Sequence, residues 1–212
     1  MDAFTFTLGR LSDAAIEDLA PDFETLAPNQ YADGAYRLRR FSHFEFDRAE
    51  QRLTLLPPKD FVQGDDINHF QPGVARRYDD LLPTTWDTRG FGELIADFAR
   101  LGALPELVRI EVHQLRVIAR PGTAVETAPE GVHQDGFDRI CIATIGRAHS
   151  TGADLSLHES GDAPALATLR QQAGQYVVLN DRTMWHSANP VVAVDAVLSG
   201  YWDAFVLTAH RA

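Results

Sequence analysis

The sequence predicts an α+β fold, a C-terminal sandwich or jelly roll covered by N-terminal helices. Three observations carry this. The strongest helical periodicity lies before residue 105, in "FGELIADFARLGAL" (91–104). After residue 105 the period shortens to two, in segments rich in β-branched residues. Gly, Pro, Asp and Asn separate those segments at short intervals, as strands of one small barrel require.

Taken in order, "LSDAAIEDLAPDFETL" (11–26) opens on Ser12 as an N-cap, with Ile16 and Leu19 at helical spacing, which predicts a short helix. "YRLRRFSHFEFD" (36–47) alternates long polar and aromatic residues, as a half-exposed strand does. Residues 55–85 are rich in Pro, Gly, Asp and Asn and read as a long functional loop. In residues 91–104, Phe91, Leu94, Ile95, Phe98 and Leu101 share one helix face. The strands that follow are expected at 106–120, 139–145, 153–159, 174–180, 183–188, 191–198 and 201–210. At 212 residues the chain reads as one domain. Residues 1–105 are expected to form a helical and irregular cover, and residues 106–212 the jelly-roll core.

Nineteen Lys and Arg against 30 Asp and Glu leave a net charge of −11. No basic field is available to gather phosphates, so nucleic acid is not an expected partner. Lys59 is the single lysine, and arginine supplies the remaining positive charge. Arginine forks bind carboxylates bidentately, which points to a small-molecule acid as substrate. The one cysteine, Cys141, sits in strand-like "RICIATI" and reads as a buried, inert thiol. The first residues lack a basic start followed by an apolar core, and no apolar run approaches a membrane span, so a cytoplasmic protein without membrane contact is expected. A homodimer is compatible with the sequence.

The stretch "GVHQDGFDRI" (131–140) contains His133-x-Asp135. Residues i and i+2 of a strand point to one face, so this pair at a strand end can bind one ion. A facial Fe(II) site needs two imidazoles and one carboxylate, with the opposite positions open. His186 in "DRTMWHSANP" is the best second imidazole, since it follows four intervening strands. The competing reading is two polar residues at a solvated loop end. His43-x-Glu45 has the same form on an early strand without a partner and reads as surface or packing. His113 reads as a satisfied core or face residue.

Several separated motifs together resemble the Fe(II)/2-oxoglutarate dioxygenases that hydroxylate free L-amino acids, the isoleucine 4-hydroxylase type. "DGAYRLRRFSHFEF" (33–46) is similar to that family's Arg-rich opening strand. Gln63, Asn68, Gly73 and Arg76 resemble its Gln…Asn…Gly…Arg segment. "VRIEVHQLRV" (108–117), "PEGVHQDGFDRICIATIGRAH" (129–149), "LNDRTMWHSANPV" (179–191) and "GYWDAFVLT" (200–208) follow in the family's order. The resemblance implies a double-stranded β-helix with Fe(II) held by His133, Asp135 and His186. It also implies 2-oxoglutarate as cosubstrate and O₂ as oxidant, with Gln63 and Asn68 among the substrate-binding residues.

Departures from the pattern matter. The family is expected to carry "Y-R-D" in its final strand, the arginine clamping the distal carboxylate of 2-oxoglutarate. Here the residues are Tyr201, Trp202 and Asp203, and an indole offers one neutral donor. Arg116 and Arg147 are the expected replacements at the cosubstrate site around Trp202. His149 stands in the place of an Asn, and Asp154 takes an acidic place near the substrate. The activity expected is hydroxylation of an amino acid or small carboxylic acid. The alternatives are oxidative cyclisation, desaturation or C–C cleavage with altered or no 2-oxoglutarate use, and a non-catalytic jelly-roll binding module.

Overall fold

The computed structural model describes residues 4–28, 31, 36–62 and 73–211. Its strands are β1 (Phe6–Arg10), β2 (Arg37–Asp47), β3 (Arg52–Leu55), β4 (Leu107–Ala119), β5 (Ala124–Val125), β6 (Arg139–Ala148), β7 (Ser150–Thr151), β8 (Leu155–His158), β9 (Ala167–Leu169), β10 (Gln175–Leu179), β11 (Trp185–Ala188), β12 (Val191–Ala193) and β13 (Gly200–Ala209). The helices are α1 (Asp13–Leu19), α2 (Pro83–Trp86) and α3 (Arg89–Leu101). Seven strands form one large sheet in the order β1-β10-β6-β13-β4-β2-β3. Two three-stranded sheets, β11-β8-β9 and β5-β12-β7, complete a double-stranded β-helix.

Alternation along the strands gives the large sheet two buried faces. Val108, Ile110 and Val112 of β4, with Phe205 and Leu207 of β13, pack against Leu19 of α1 and Phe91, Leu94 and Phe98 of α3. Leu115 and Val117, with Trp202 and Ala204, turn the other way and meet Leu155, Leu157 and Val191 of the small sheets. The first cluster anchors the helices and the second lies inside the roll. The helices are capped as the sequence requires: Ser12 Oγ accepts from the Ala15 amide and Thr88 Oγ1 from the Phe91 amide, each at 3.1 Å. Gly90 permits the close crossing of α3 on α1, since a Cβ there would lie 2.7 Å from the Ala15 carbonyl oxygen.

The short helix expected within 11–26 is α1, and Pro21 after it starts a 3₁₀ turn over Pro21–Thr25. Two expectations are corrected. Residues 1–105 are more than a cover: β1, β2 and β3 belong to the large sheet, with β2 paired to β4 along its whole length. The strand expected at 191–198 stops at Ala193, and Asp195 then accepts from the amides of Val197 and Leu198 in a turn. Cys141 is fully buried, and burial pushes its thiol pKa up. Among the described residues no helix is long and apolar enough to cross a membrane.

Candidate metal centre

His133 and His186 are cross-strand partners. Each donates its amide to the other's carbonyl oxygen at 2.9 Å, forming an isolated antiparallel bridge. Opposed residues in such a bridge project to one side, and the two rings sit 4.3 Å apart, centroid to centroid. Asp135, two residues on from His133, points to the same side. Its Oδ1 is 3.5 Å from His133 Nε2 and its Oδ2 3.8 Å from His186 Nε2. One donor atom from each of the three lies within 4.8 Å of the others. Two imidazoles and one carboxylate gathered on one side are the donor set of a facial Fe(II) site.

The surroundings orient these donors. His133 Nδ1 lies 3.0 Å from the Gly131 carbonyl oxygen, a partner for an Nδ1–H that leaves the Nε2 lone pair facing Asp135. Asp181, absent from the expected site, accepts from the amides of Asp135, Gly136 and Phe137 at 3.2, 2.8 and 3.0 Å. Gly136 has φ +85°, the left-handed conformation that brings these amides together. Asp181 Oδ1 also lies 4.0 Å from His186 Nδ1.

The charges follow from this packing. Burial opposes a charge on His133, but the Asp135 hydrogen bond and charge overcome it and raise its pKa to about 9. Burial would raise Asp135, yet His133 and His186 hold its carboxyl well below the usual range. Burial and the neighbouring His133 lower His186 to about 4. Burial, then the Asp135 charge, raises Asp181 to about 7 against the pull of the three amides. Without metal, His133 and Asp135 are therefore an ion pair at neutral pH, and a cation replaces the proton.

A cavity opens in front of the three donors. Its wall includes Arg37 and Arg39 from β2, Arg76, His113, Glu130 and Trp202. Phe61 and Arg76 are backbone partners, and the Arg76 guanidinium lies 4.7 Å from the Phe61 ring centroid. His113 is stacked on Phe41 at 4.6 Å. Burial, then the Arg39, Arg76 and Arg37 charges, hold His113 well below its usual pKa. Among the described residues its Nδ1 is buried without a hydrogen-bond partner, so the expectation of a satisfied core or face residue is corrected. The period-2 alternation of "YRLRRF" already puts Arg37 and Arg39 on one face; which face depends on register.

The other expected residues are dispersed. Arg116 points to the helix side, where it binds Asp203 at 2.6 and 2.8 Å and Glu24 at 2.8 Å, and is absent from the cavity wall. Its place is decided by register: Arg116 pairs with Asp203, whose neighbour Trp202 faces inward. Arg147 lies opposite Trp202, but Nη1 donates to the Gly152 carbonyl at 3.1 Å and the side chain is outside the cavity wall. Trp202 does line the cavity, its Nε1–H donating to Thr144 Oγ1 at 2.9 Å. Asp154 exchanges hydrogen bonds with Asn189 and is also outside the wall. Gln63 and Asn68 lie outside the described residues. His43 Nε2 contacts the Pro57 carbonyl at 2.6 Å, away from the centre.

A family model described as 2OG-Fe dioxygenase matches residues 20–208. No curated protein matches the chain. Among solved structures, a bsmA homolog from Methylobium petroleophilum PM1 is 24% identical with a TM-score of 0.81, over 99% of this chain and 89% of that one. IDO from Bacillus thuringiensis is 12% identical with a TM-score of 0.79, over 98% and 90%. The Fe(II)/α-ketoglutarate-dependent dioxygenase TqaL is 16% identical with a TM-score of 0.74, over 98% and 82%. At these identities the likeness is one of fold.

Proposed function

The chain belongs to the 2OG-Fe dioxygenase family and is an Fe(II)/2-oxoglutarate-dependent dioxygenase; from that premise we propose that it hydroxylates an sp³ carbon of a free amino acid or similar small acid. The observation that carries the substrate class is the charge of the cavity. Arg37, Arg39 and Arg76 supply three forks for carboxylates, and Glu130 supplies one group suited to an ammonium. Two small acids, cosubstrate and substrate, fit that inventory.

In this reading His133, Asp135 and His186 hold the iron. Bound there, Fe(II) with 2-oxoglutarate and O₂ supplies the oxidising power: one oxygen atom enters the substrate C–H bond, and the other leaves in succinate, with loss of CO₂. The chain's own residues orient and exclude. The Arg76 guanidinium, braced on Phe61, holds the substrate carboxylate and so decides which carbon faces the metal. Ile142, Leu155 and Val206 give the cavity apolar walls that keep water from the reacting centre.

Incubation with Fe(II), 2-oxoglutarate, ascorbate and a panel of free amino acids and small acids tests this. A substrate-dependent release of succinate, with a product heavier by one oxygen atom, is expected. A product lighter by two hydrogens would replace hydroxylation with desaturation or ring closure. Succinate release stimulated by no small acid would remove the substrate class.

A further inference from the structure

Trp202 leaves the inner end of the cavity without the arginine that the motif pattern puts on β13. Its Nε1–H is neutral and already used by Thr144. Two arginines share its row of the sheet: Arg147 of β6, directly opposite Trp202, and Arg37 of β2, further along on the other side. Trp202 pairs with Val117 of β4, and Val117 pairs with Arg37 of β2. Opposed residues of antiparallel strands project to one face. Trp202, Val117 and Arg37 are therefore one row, and Ala204, Leu115 and Arg39 are the next row on the same face. Two strand spacings separate Trp202 from Arg37, about 10 Å. An extended arginine side chain is long enough to span much of that distance, and Arg37, Arg39 and Trp202 line one cavity.

We infer that Arg37 and Arg39 are the anion anchor of this enzyme, holding the distal carboxylate of 2-oxoglutarate from β2, two strands from the expected place. The inference rests on the reading of His133, Asp135 and His186 as the iron site. A second observation points to an anion. Among the described residues Arg39 has no hydrogen-bond or ion-pair partner; its Nε is buried without one, and the Tyr78 ring lies 5.4 Å from its guanidinium carbon. A guanidinium held this way is stabilised by an incoming carboxylate. His113, one row beyond Arg39 and 6% exposed, also lines this cavity, and among the described residues its buried Nδ1 has no hydrogen-bond partner. Of the replacements expected from the sequence, Arg116 is bound on the other face; Arg147 has Nε and Nη2 buried without a hydrogen-bond partner among the described residues but lies outside the cavity wall, which Arg37 and Arg39 line. Trp202 fills the volume that an arginine on β13 would occupy, and Arg76 is left for the substrate.

The test compares two probes on the Fe(II)-loaded protein without oxygen. One is 2-oxoglutarate; the other is 2-oxobutanoate, which keeps the chelating end and lacks the distal carboxylate. Binding is read from the charge-transfer absorption of the chelated 2-oxo acid, with circular dichroism confirming the fold of each variant. Arg37→Gln and Arg39→Gln should each weaken 2-oxoglutarate binding about tenfold or more and leave 2-oxobutanoate unchanged. Adding Trp202→Arg to the double variant should restore part of the lost 2-oxoglutarate affinity. Unchanged 2-oxoglutarate affinity in folded variants overturns the anchor, as does equal weakening of both probes. If the wild-type protein binds iron but neither 2-oxo acid, the cosubstrate anchor falls while the metal reading stands. If it binds no iron, both fall.

Discussion

Asp181 holds the turn that carries Asp135, its two carboxylate oxygens accepting the amides of Asp135, Gly136 and Phe137. The side chain of Asp181 is fully buried and lies 4.0 Å from the second imidazole, His186. One carboxylate thus sets the direction of one ligand and borders another. Asp181→Asn keeps an acceptor and the side-chain volume, so the fold should persist while iron affinity falls about ten- to a hundredfold. Asp181→Ala leaves three donors without their acceptor and should lower stability as well, by roughly 1–3 kcal/mol or more. Metal titration and thermal unfolding of the two variants separate the effects.

Iron binding should follow pH through His133. Its proton, held to about pH 9 by Asp135, must leave before the ring binds metal, whereas His186, lowered to about 4, is already neutral. At neutral pH binding should release about one proton, and affinity should fall about tenfold per unit as the pH drops from 8 to 6. Calorimetry in buffers of different ionisation enthalpy reads the proton release directly. In the metal-free protein the sign reverses for stability. A group raised above its unfolded value stabilises fully below about 6.5, and that contribution is lost as pH rises through about 9.

Acid should loosen the junction between β6 and the segment before β11. Arg182 Nε donates to Asp138 Oδ1 at 2.8 Å, and the Arg211 amide donates to Oδ2 at 2.8 Å. These partners lower Asp138 to about 2. Its contribution is present above the unfolded value of about 3.9 and is lost as pH falls through about 2. Asp138→Asn should flatten the dependence of the unfolding midpoint on pH in that window and change little at pH 7 beyond a uniform offset.

The helices are fixed to the sheet by aromatic contacts at Phe205. Its ring meets Phe23 at 5.2 Å and Phe91 at 5.8 Å, both edge-on, and the residue is fully buried. Phe205→Ala should lower stability by about 3–5 kcal/mol, measured by denaturant unfolding. The metal donors come from β11 of a small sheet and the segment before β6, away from the helix-facing side where Phe205 packs, so iron affinity of the folded fraction should change little.

Much of this was legible in the residues because periodicity is a local property. Phe91, Leu94, Ile95 and Phe98 are fully buried on one face of α3, as their spacing predicts. His133-x-Asp135 and His186 converge because i and i+2 share a face and an antiparallel bridge joins the two segments. What stayed hidden depends on register. Arg116 looks equivalent to its neighbours in "HQLRV", but a strand's inward parity is decided by its partners, and pairing with Asp203 turns it outward. β1 escaped notice because it is a short edge strand with no fully buried residue. Arg39 stands in an Arg-rich strand whose alternation is legible, but its place in the cavity comes from β2 pairing with β4.

Anomalous diffraction at the iron edge, from crystals grown anaerobically with Fe(II) and 2-oxoglutarate, tests the central claim most directly. The expected result is one peak within bonding distance of Nε2 of His133, Nε2 of His186 and a carboxylate oxygen of Asp135. An iron peak bonded to other side chains, with these three left free of metal, would contradict it.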